Sequence, residues 1–133
     1  MDLDKITKEI MIDEGTIIAK VKELGRQITS DYAGKDVLLV CVLNGAAMFM
    51  SDLMKEIKLP LEIDFMAVSS YGSSTKSSGV VKIIKDLDKT VEGKHIIIVE
   101  DIIDSGLTLS YMLENLKSRG PESIEICTLL SKP

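Results

Sequence analysis

The chain predicts an α/β fold, a parallel twisted sheet flanked by helices, on three observations. Two continuous apolar runs, V-L-L-V-C-V-L at 37–43 and I-I-I-V at 96–99, read as strands buried on both faces. Each is followed by an apolar stripe at helical spacing: Met48, Phe49, Leu53, Met54 and Ile57 behind the first, Leu109, Met112, Leu113 and Leu116 behind the second. Further strand-like runs at 61–68, 80–84 and 123–130 alternate with these segments. Alternation of this kind builds parallel sheets with right-handed crossovers.

In chain order, Ile6, Ile10 and Ile12 form an apolar alternation expected to be an extended lead-in. Asp13 suits an N-cap, and Ile17, Val21, Leu24 and Ile28 make one helical stripe behind it, closed by Gly34. The run at 37–43 ends in Asn44-Gly45. That pair alone would mark a hairpin, but the helical period that follows favours a strand-to-helix crossover. The run at 61–68 gives way to S-S-Y-G-S-S-T-K-S-S-G at 69–79, whose composition is that of a mobile loop. Because a strand pattern resumes at Val80, the loop is internal to one domain, where long loops are usually functional lids. Lys85-Asp86-Leu87-Asp88 and Glu92-Gly93-Lys94 bracket a polar turn whose charges are read as solvating a loop. Gly120-Pro121 stops the last helix before the final strand.

A length of 133 residues supports one domain with a real core. The net charge of -5 argues against a nucleic-acid or anionic-membrane binder, so an anionic substrate must be held by backbone donors, local cations or metal. No apolar run approaches the roughly 20 residues of a membrane helix. The N-terminus does not resemble a signal peptide, and a cytoplasmic location is expected. Cys41 and Cys127 lie in apolar runs and read as small buried hydrophobes. The single histidine, His95, lacks partners for nucleophilic catalysis and reads as structural or exposed. No cluster has metal-ligand spacing.

The stretch richest in chemistry is I-I-I-V-E-D-I-I-D-S-G-L-T-L at 96–109. It reads as strand, loop, helix, with Glu100 and Asp101 where the strand ends and a Ser/Gly/Thr turn where the helix begins. Unpaired N–H groups and partial positive charge at a helix N-terminus hold phosphate. Ser105 and Thr108 add hydroxyl donors, Gly106 permits close backbone approach, and carboxylates accept the hydrogen bonds of ribose hydroxyls. A solvated strand end with a helix cap is the bland alternative; adjacent acids, repeated at Asp104, weigh against it. The lysine of a nucleoside-triphosphate P-loop and the G-x-G-x-x-G of dinucleotide folds are both missing.

The run V-E-D-I-I-D-S-G-L-T-L closely resembles the phosphoribosyl-pyrophosphate motif of the purine phosphoribosyltransferases of hypoxanthine-guanine type. The likeness extends over essentially the whole chain. It implies the type I phosphoribosyltransferase (Rossmann-like) fold. The implied reaction is transfer of the 5-phosphoribosyl group from phosphoribosyl pyrophosphate to hypoxanthine or guanine, giving IMP or GMP and pyrophosphate. By this resemblance Glu100 and Asp101 bind the ribose hydroxyls and Mg2+, and Ser105, Gly106, Leu107 and Thr108 anchor the 5-phosphate. Asp104 acts on the purine imidazole ring as general base or as stabiliser of a protonated base. Leu43, Asn44 and Gly45 match the loop whose amides contact pyrophosphate, with Asn44 where the family often carries lysine. Ser70-Tyr71 match the Ser-Tyr pair of the active-site hood, and Lys132 the lysine that reads the purine's exocyclic oxygen. A homodimer or homotetramer is implied.

Two rivals remain: a phosphoribosyltransferase for xanthine or a pyrimidine, which would share the loop from Glu100 to Thr108 but need a base contact other than Lys132, and a non-catalytic regulator sensing phosphoribosyl pyrophosphate. The lack of a basic nucleic-acid patch counts against the regulator. The family continues past the position of Pro133 with a purine-stacking aromatic, a metal-binding aspartate and a pyrophosphate-contacting arginine. The chain is therefore expected to match the family's phosphoribosyl-pyrophosphate half without that C-terminal segment, and to turn over purine poorly by itself.

Overall fold

The computed structural model describes residues 14–43, 46–70, 81–103 and 107–131. Its elements are α1 (Glu14–Asp31), β1 (Val37–Val42), α2 (Ala47–Glu56), β2 (Glu62–Ser70), β3 (Val81–Lys85), β4 (His95–Ile103), α3 (Leu107–Lys117) and β5 (Ser123–Ser131). The lead-in isoleucines and Asp13 lie outside the described residues.

The strands form one sheet in the order β3-β2-β1-β4-β5. β2, β1, β4 and β5 run parallel, as their apolar runs predict, while β3 adds antiparallel to β2. Only ten residues separate β2 from β3. That is short for a parallel crossover, which needs a dozen or more, so the pair closes as a hairpin.

From the central pair the chain crosses outward in both directions: β1 through α2 to β2, and β4 through α3 to β5. Right-handed crossovers of opposite direction place their helices on opposite faces of the sheet. The core divides accordingly. Val37, Leu39, Cys41, Ile97, Val99 and Cys127 pack with Val21 and Ile28 of α1 and with Phe49, Met50 and Leu53 of α2. Leu38, Val40, Val42, Ile96 and Ile98 pack with Leu109, Met112 and Leu116 of α3. Every residue of β1 is buried, as expected for a strand covered on both faces.

α2 differs from its predicted stripe. Met48 is 80% exposed and Met54 36%, while Met50, absent from the sequence reading, is buried at 2%. At 100° per residue, the face that carries Phe49, Leu53 and Ile57 turns Met48 and Met54 outward. α1 ends before Gly34, which takes a left-handed φ of 77° and turns the chain into β1. Gly120, at φ 79°, closes α3 in the same manner, and its carbonyl accepts a hydrogen bond from the Gly93 amide at 2.9 Å.

The polar segment between β3 and β4 is not merely solvated. Val91 and Leu87 pack on the α3-side core with Met66 and Val68 of β2, adding an irregular cover beside α3. The backbone donors of such an irregular cover need partners. Asp64, 4% exposed on β2, supplies them. One carboxylate oxygen accepts from the Phe65 amide, and the other from the amides of Asp88 and Lys89, each at 2.8 Å. Burial pushes the Asp64 carboxyl up, but the three amides outweigh it and hold the group below its ordinary value of 3.8. Lys94 reaches Glu62 at 2.6 Å, and Arg119 at the end of α3 reaches Asp86 at 2.9 Å.

This packing has two measurable consequences. At Gly25 the helices α1 and α2 touch: an added Cβ would meet the Glu56 side chain and, at 2.8 and 2.9 Å, its backbone O and C. Gly25→Ala adds helix propensity of about 1 kcal/mol, but backbone cannot yield as a side chain does. A net loss of about 1–2 kcal/mol in denaturant unfolding is expected. Asp64→Asn leaves at least one of the three amides without its acceptor and should cost about 1–3 kcal/mol at neutral pH. Since the folded Asp64 carboxyl titrates below its ordinary value, its contribution is present above pH 3.8 and vanishes as pH falls through the lower folded value. The stability gap between wild type and Asp64→Asn, followed by unfolding at stepped pH, should therefore narrow below about pH 4.

Candidate functional site

The sheet has a notch at its carboxyl end. β1 makes its last pairings at Val42↔Met66 with β2 and Cys41↔Val99 with β4. β2 then continues to Ser70 and β4 to Ile103. On the register of these pairs β2 overhangs the end of β1 at Val42 by four residues and β4 by three, about 13 and 10 Å at the rise of a strand. Two interstrand spacings, about 9–10 Å, separate these walls. The floor is the turn after β1, where the Leu43 amide donates to the Met66 carbonyl at 2.9 Å and the Ala46 amide to the Val42 carbonyl at 3.3 Å. In open α/β sheets the crevice beyond the strand ends, where strand order reverses, is where ligands bind. Here the order reverses between β1 and β4.

Two helices begin at this crevice, one on each face. α2 starts at Ala47 from Ala46, which makes no side-chain cap hydrogen bond, and its first turn has no acidic residue. α3 starts at Leu107, also with no acidic residue in its first turn. For a protein of net charge -5, this leaves two helix first turns without an acidic residue, each able to take an anionic group.

The structure brings Leu43, Glu100 and the first residues of α3 to this one end. β4 runs past the expected strand end: Glu100 pairs with Thr128, Ile102 with Leu130 and Ile103 with Ser131. Glu100 and Asp101 are therefore strand residues on the wall of the notch, not loop residues. The β-branched Ile102 and Ile103 extend the ladder where the acids alone would end it. Asp101, Ser70, Leu107 and Thr108 have described backbone positions, on β4, β2 and α3, but their side chains lie outside the described residues. Asn44, Gly45, Tyr71, Asp104, Ser105, Gly106 and Lys132 lie outside them altogether, as does most of the 69–79 loop.

Sequence reading missed Ser69. Its hydroxyl is buried on the overhanging end of β2, without a hydrogen-bond partner among the described residues. A lone serine in a serine-rich stretch gives no periodic signal. It also missed Thr128, which only the β4–β5 register places opposite Glu100.

A cavity of about 530 Å3 lies between α1 and the strands β4 and β5, and includes Tyr32, Lys35, His95, Ser123, Glu125, Cys127 and, at its edge, Thr128. Its groups are not poised for chemistry. Burial raises the Cys127 thiol to about 11, and burial, with Glu125 and Asp31, raises the Tyr32 hydroxyl. His95 is structural: its Nδ1 lies 2.7 Å from the Ser123 hydroxyl and its ring meets Tyr32 edge-on. Both cysteines are buried, as their apolar runs predict. Among the described residues no group of three or more His, Cys, Asp or Glu could hold a metal. No helix there is long and apolar enough to cross a membrane.

Known proteins share this arrangement. A hypoxanthine-guanine phosphoribosyltransferase of Mycobacterium avium is 52% identical over 132 residues, covering 95% of this chain and 65% of its own. One from Bacillus subtilis strain 168 is 58% identical over 126 residues, covering 95% and 70%. The crystal structure of a hypoxanthine phosphoribosyltransferase from Staphylococcus aureus superposes with a TM-score of 0.88 at 51% identity, over 92% of this chain and 67% of that one. The chain thus spans about 65% of the length of the mycobacterial relative. Residues 10–133 match the family model of the phosphoribosyl transferase domain, and the chain belongs to that family.

Proposed function

We propose that the chain carries out phosphoribosyl transfer in purine salvage. In this reaction C1 of phosphoribosyl pyrophosphate exchanges its bond to a pyrophosphate oxygen for a bond to a ring nitrogen of hypoxanthine or guanine. IMP or GMP forms, pyrophosphate leaves and the purine gives up a proton. The observation that carries this reading is the pair of acid-free helix N-termini facing one crevice, because the substrate is a sugar with an anionic group at each end. The names of the relatives, hypoxanthine-guanine phosphoribosyltransferases, agree with it.

In this reading the start of α3, with Ser105, Gly106, Leu107 and Thr108, holds the 5-phosphate. Leu43, Asn44 and Gly45 before α2 hold the pyrophosphate. Binding energy from both ends orients C1 for attack. Glu100 and Asp101 hold the ribose hydroxyls. Asp104 takes or balances the proton of the purine imidazole, Lys132 binds the exocyclic oxygen, and Ser70-Tyr71 with the 69–79 loop cover the site against water.

A divalent cation fits the donor set. Glu100 offers hard oxygen ligands, and Mg2+ is usually held by one or two carboxylates with substrate phosphates and water. A protein cage of three or more ligands is not required. Glu100 and Asp101 would hold the ion, which when bound neutralises charge on the departing pyrophosphate. A single-domain, cytoplasmic homodimer or homotetramer completes the proposal.

Two measurements test it. Calorimetry with Mg2+ and phosphoribosyl pyrophosphate should show binding by the wild-type chain and at least a tenfold loss in a Gly106→Val, Thr108→Val variant; equal affinities would refute the assignment of the phosphate to α3. In a chain completed with a relative's C-terminal segment, Asp104→Asn should lower the rate of IMP formation by about 10²- to 10⁴-fold while leaving phosphoribosyl pyrophosphate affinity within a few-fold. A rate close to wild type would remove Asp104 from the chemistry.

A further inference from the structure

The β4–β5 ladder places Glu100 directly opposite Thr128. The period of two along each strand decides which face they share. Ile96 and Ile98 on β4 and Ile124 on β5 belong to the core beneath α3. Ile97 and Val99 with Cys127 belong to the core beneath α1 and α2. Glu100 and Thr128 therefore both stand on the α3 face. They form the next rung beyond the apolar pairs Ile96↔Ile124 and Ile98↔Ile126, and the pair after them is Ile102↔Leu130.

On this face of the ladder the neighbouring pairs are isoleucine and leucine, and a glutamate facing a threonine there is costly to the sheet unless the two polar groups meet. Both residues are only partly exposed, and neighbouring strands lie about 4.8 Å apart, within reach of a side-chain hydrogen bond. Threonine is also stiff about its first torsion, so its hydroxyl is a donor held in a restricted set of directions. A hydrogen bond to an ionised carboxylate is among the stronger ones available.

We infer that Thr128 is a positioning residue. Its hydroxyl donates to the Glu100 carboxylate and holds that carboxylate at the wall of the notch, in the orientation that receives the ribose hydroxyls or their bound cation. The inference rests on the reading of Glu100 as a ligand of the phosphoribosyl group, and it adds to that reading a residue on a different strand.

The test is a double-mutant cycle on the 133-residue chain, read by calorimetry with phosphoribosyl pyrophosphate and Mg2+ and by the thermal unfolding midpoint. Thr128→Val removes the donor and keeps the branched shape; Thr128→Ser keeps the donor. Thr128→Val should weaken binding about tenfold, the lower end for a lost hydrogen bond to a charged group. Thr128→Ser should stay within about twofold of wild type, and Thr128→Val should cause no further loss in a Glu100→Gln background. Thr128→Ala serves in place of Thr128→Val should the latter not fold. Unchanged affinity in Thr128→Val beside a clear loss in Glu100→Gln would overturn the positioning role and leave the Glu100 reading standing. Equal losses from Thr128→Val in both backgrounds, or a fall in unfolding midpoint that Thr128→Ser shares, would reduce Thr128 to a structural residue and overturn it likewise. No effect of Glu100→Gln itself would overturn both.

Discussion

The handedness of two crossovers governs the rest of this molecule. β1 and β4 lie side by side and parallel, and the chain leaves them in opposite directions. A right-handed path on each side forces α2 and α3 onto opposite faces, yet both helices begin at the same end of the sheet. The crevice, its two positive helix ends and its two overhanging walls all follow from that one chirality. The short central strand completes it: because β1 stops while β2 and β4 continue, the binding space is a gap in the sheet itself rather than a depression on a face.

This layout resolves an electrostatic tension. If the ligand is the doubly anionic sugar proposed above, an acidic protein cannot depend on its overall field, which repels that ligand. Attraction must be local, from main-chain N–H groups that are fixed before the ligand arrives and so need no reorganisation when it binds. The first turns of α2 and α3 carry no acids, although 21 acidic residues are distributed along the chain. A carboxylate, that of Glu100, belongs instead to the strand wall, where hydroxyl groups or a cation can meet it.

Much of the fold is legible in the order of the residues alone. The runs at 37–43 and 96–99 are apolar without alternation because both their faces are covered, and the Leu109, Met112, Leu116 stripe matches the buried face of α3. What stays illegible depends on long-range pairing. The continuation of β4 through Glu100 and Asp101 is set by the β5 ladder, not by local propensity, which disfavours acids in strands. Met48 and Met50 cannot be told apart by hydrophobicity, only by the angle α2 adopts on the sheet. Asp64 reads as an isolated polar residue in a strand. Its role exists only because a segment some 24 residues later folds back onto it.

The pairing of β2 with β3 contains an irregularity: Ala67 pairs with Lys85 but Val68 with Ile83, leaving Ile84 as an extra residue, 66% exposed. A bulge of this kind counts parity for the hairpin. Below it and above it the two strands keep separate registers, and Ile83 meets the α3-side core only because the additional residue is there. Were Ile84 itself to pair with Val68, residues 81–83 would slide one place along β2 and exchange their inward and outward faces. At the base of this arm one residue, by standing out of the ladder, decides which side of the hairpin is wet.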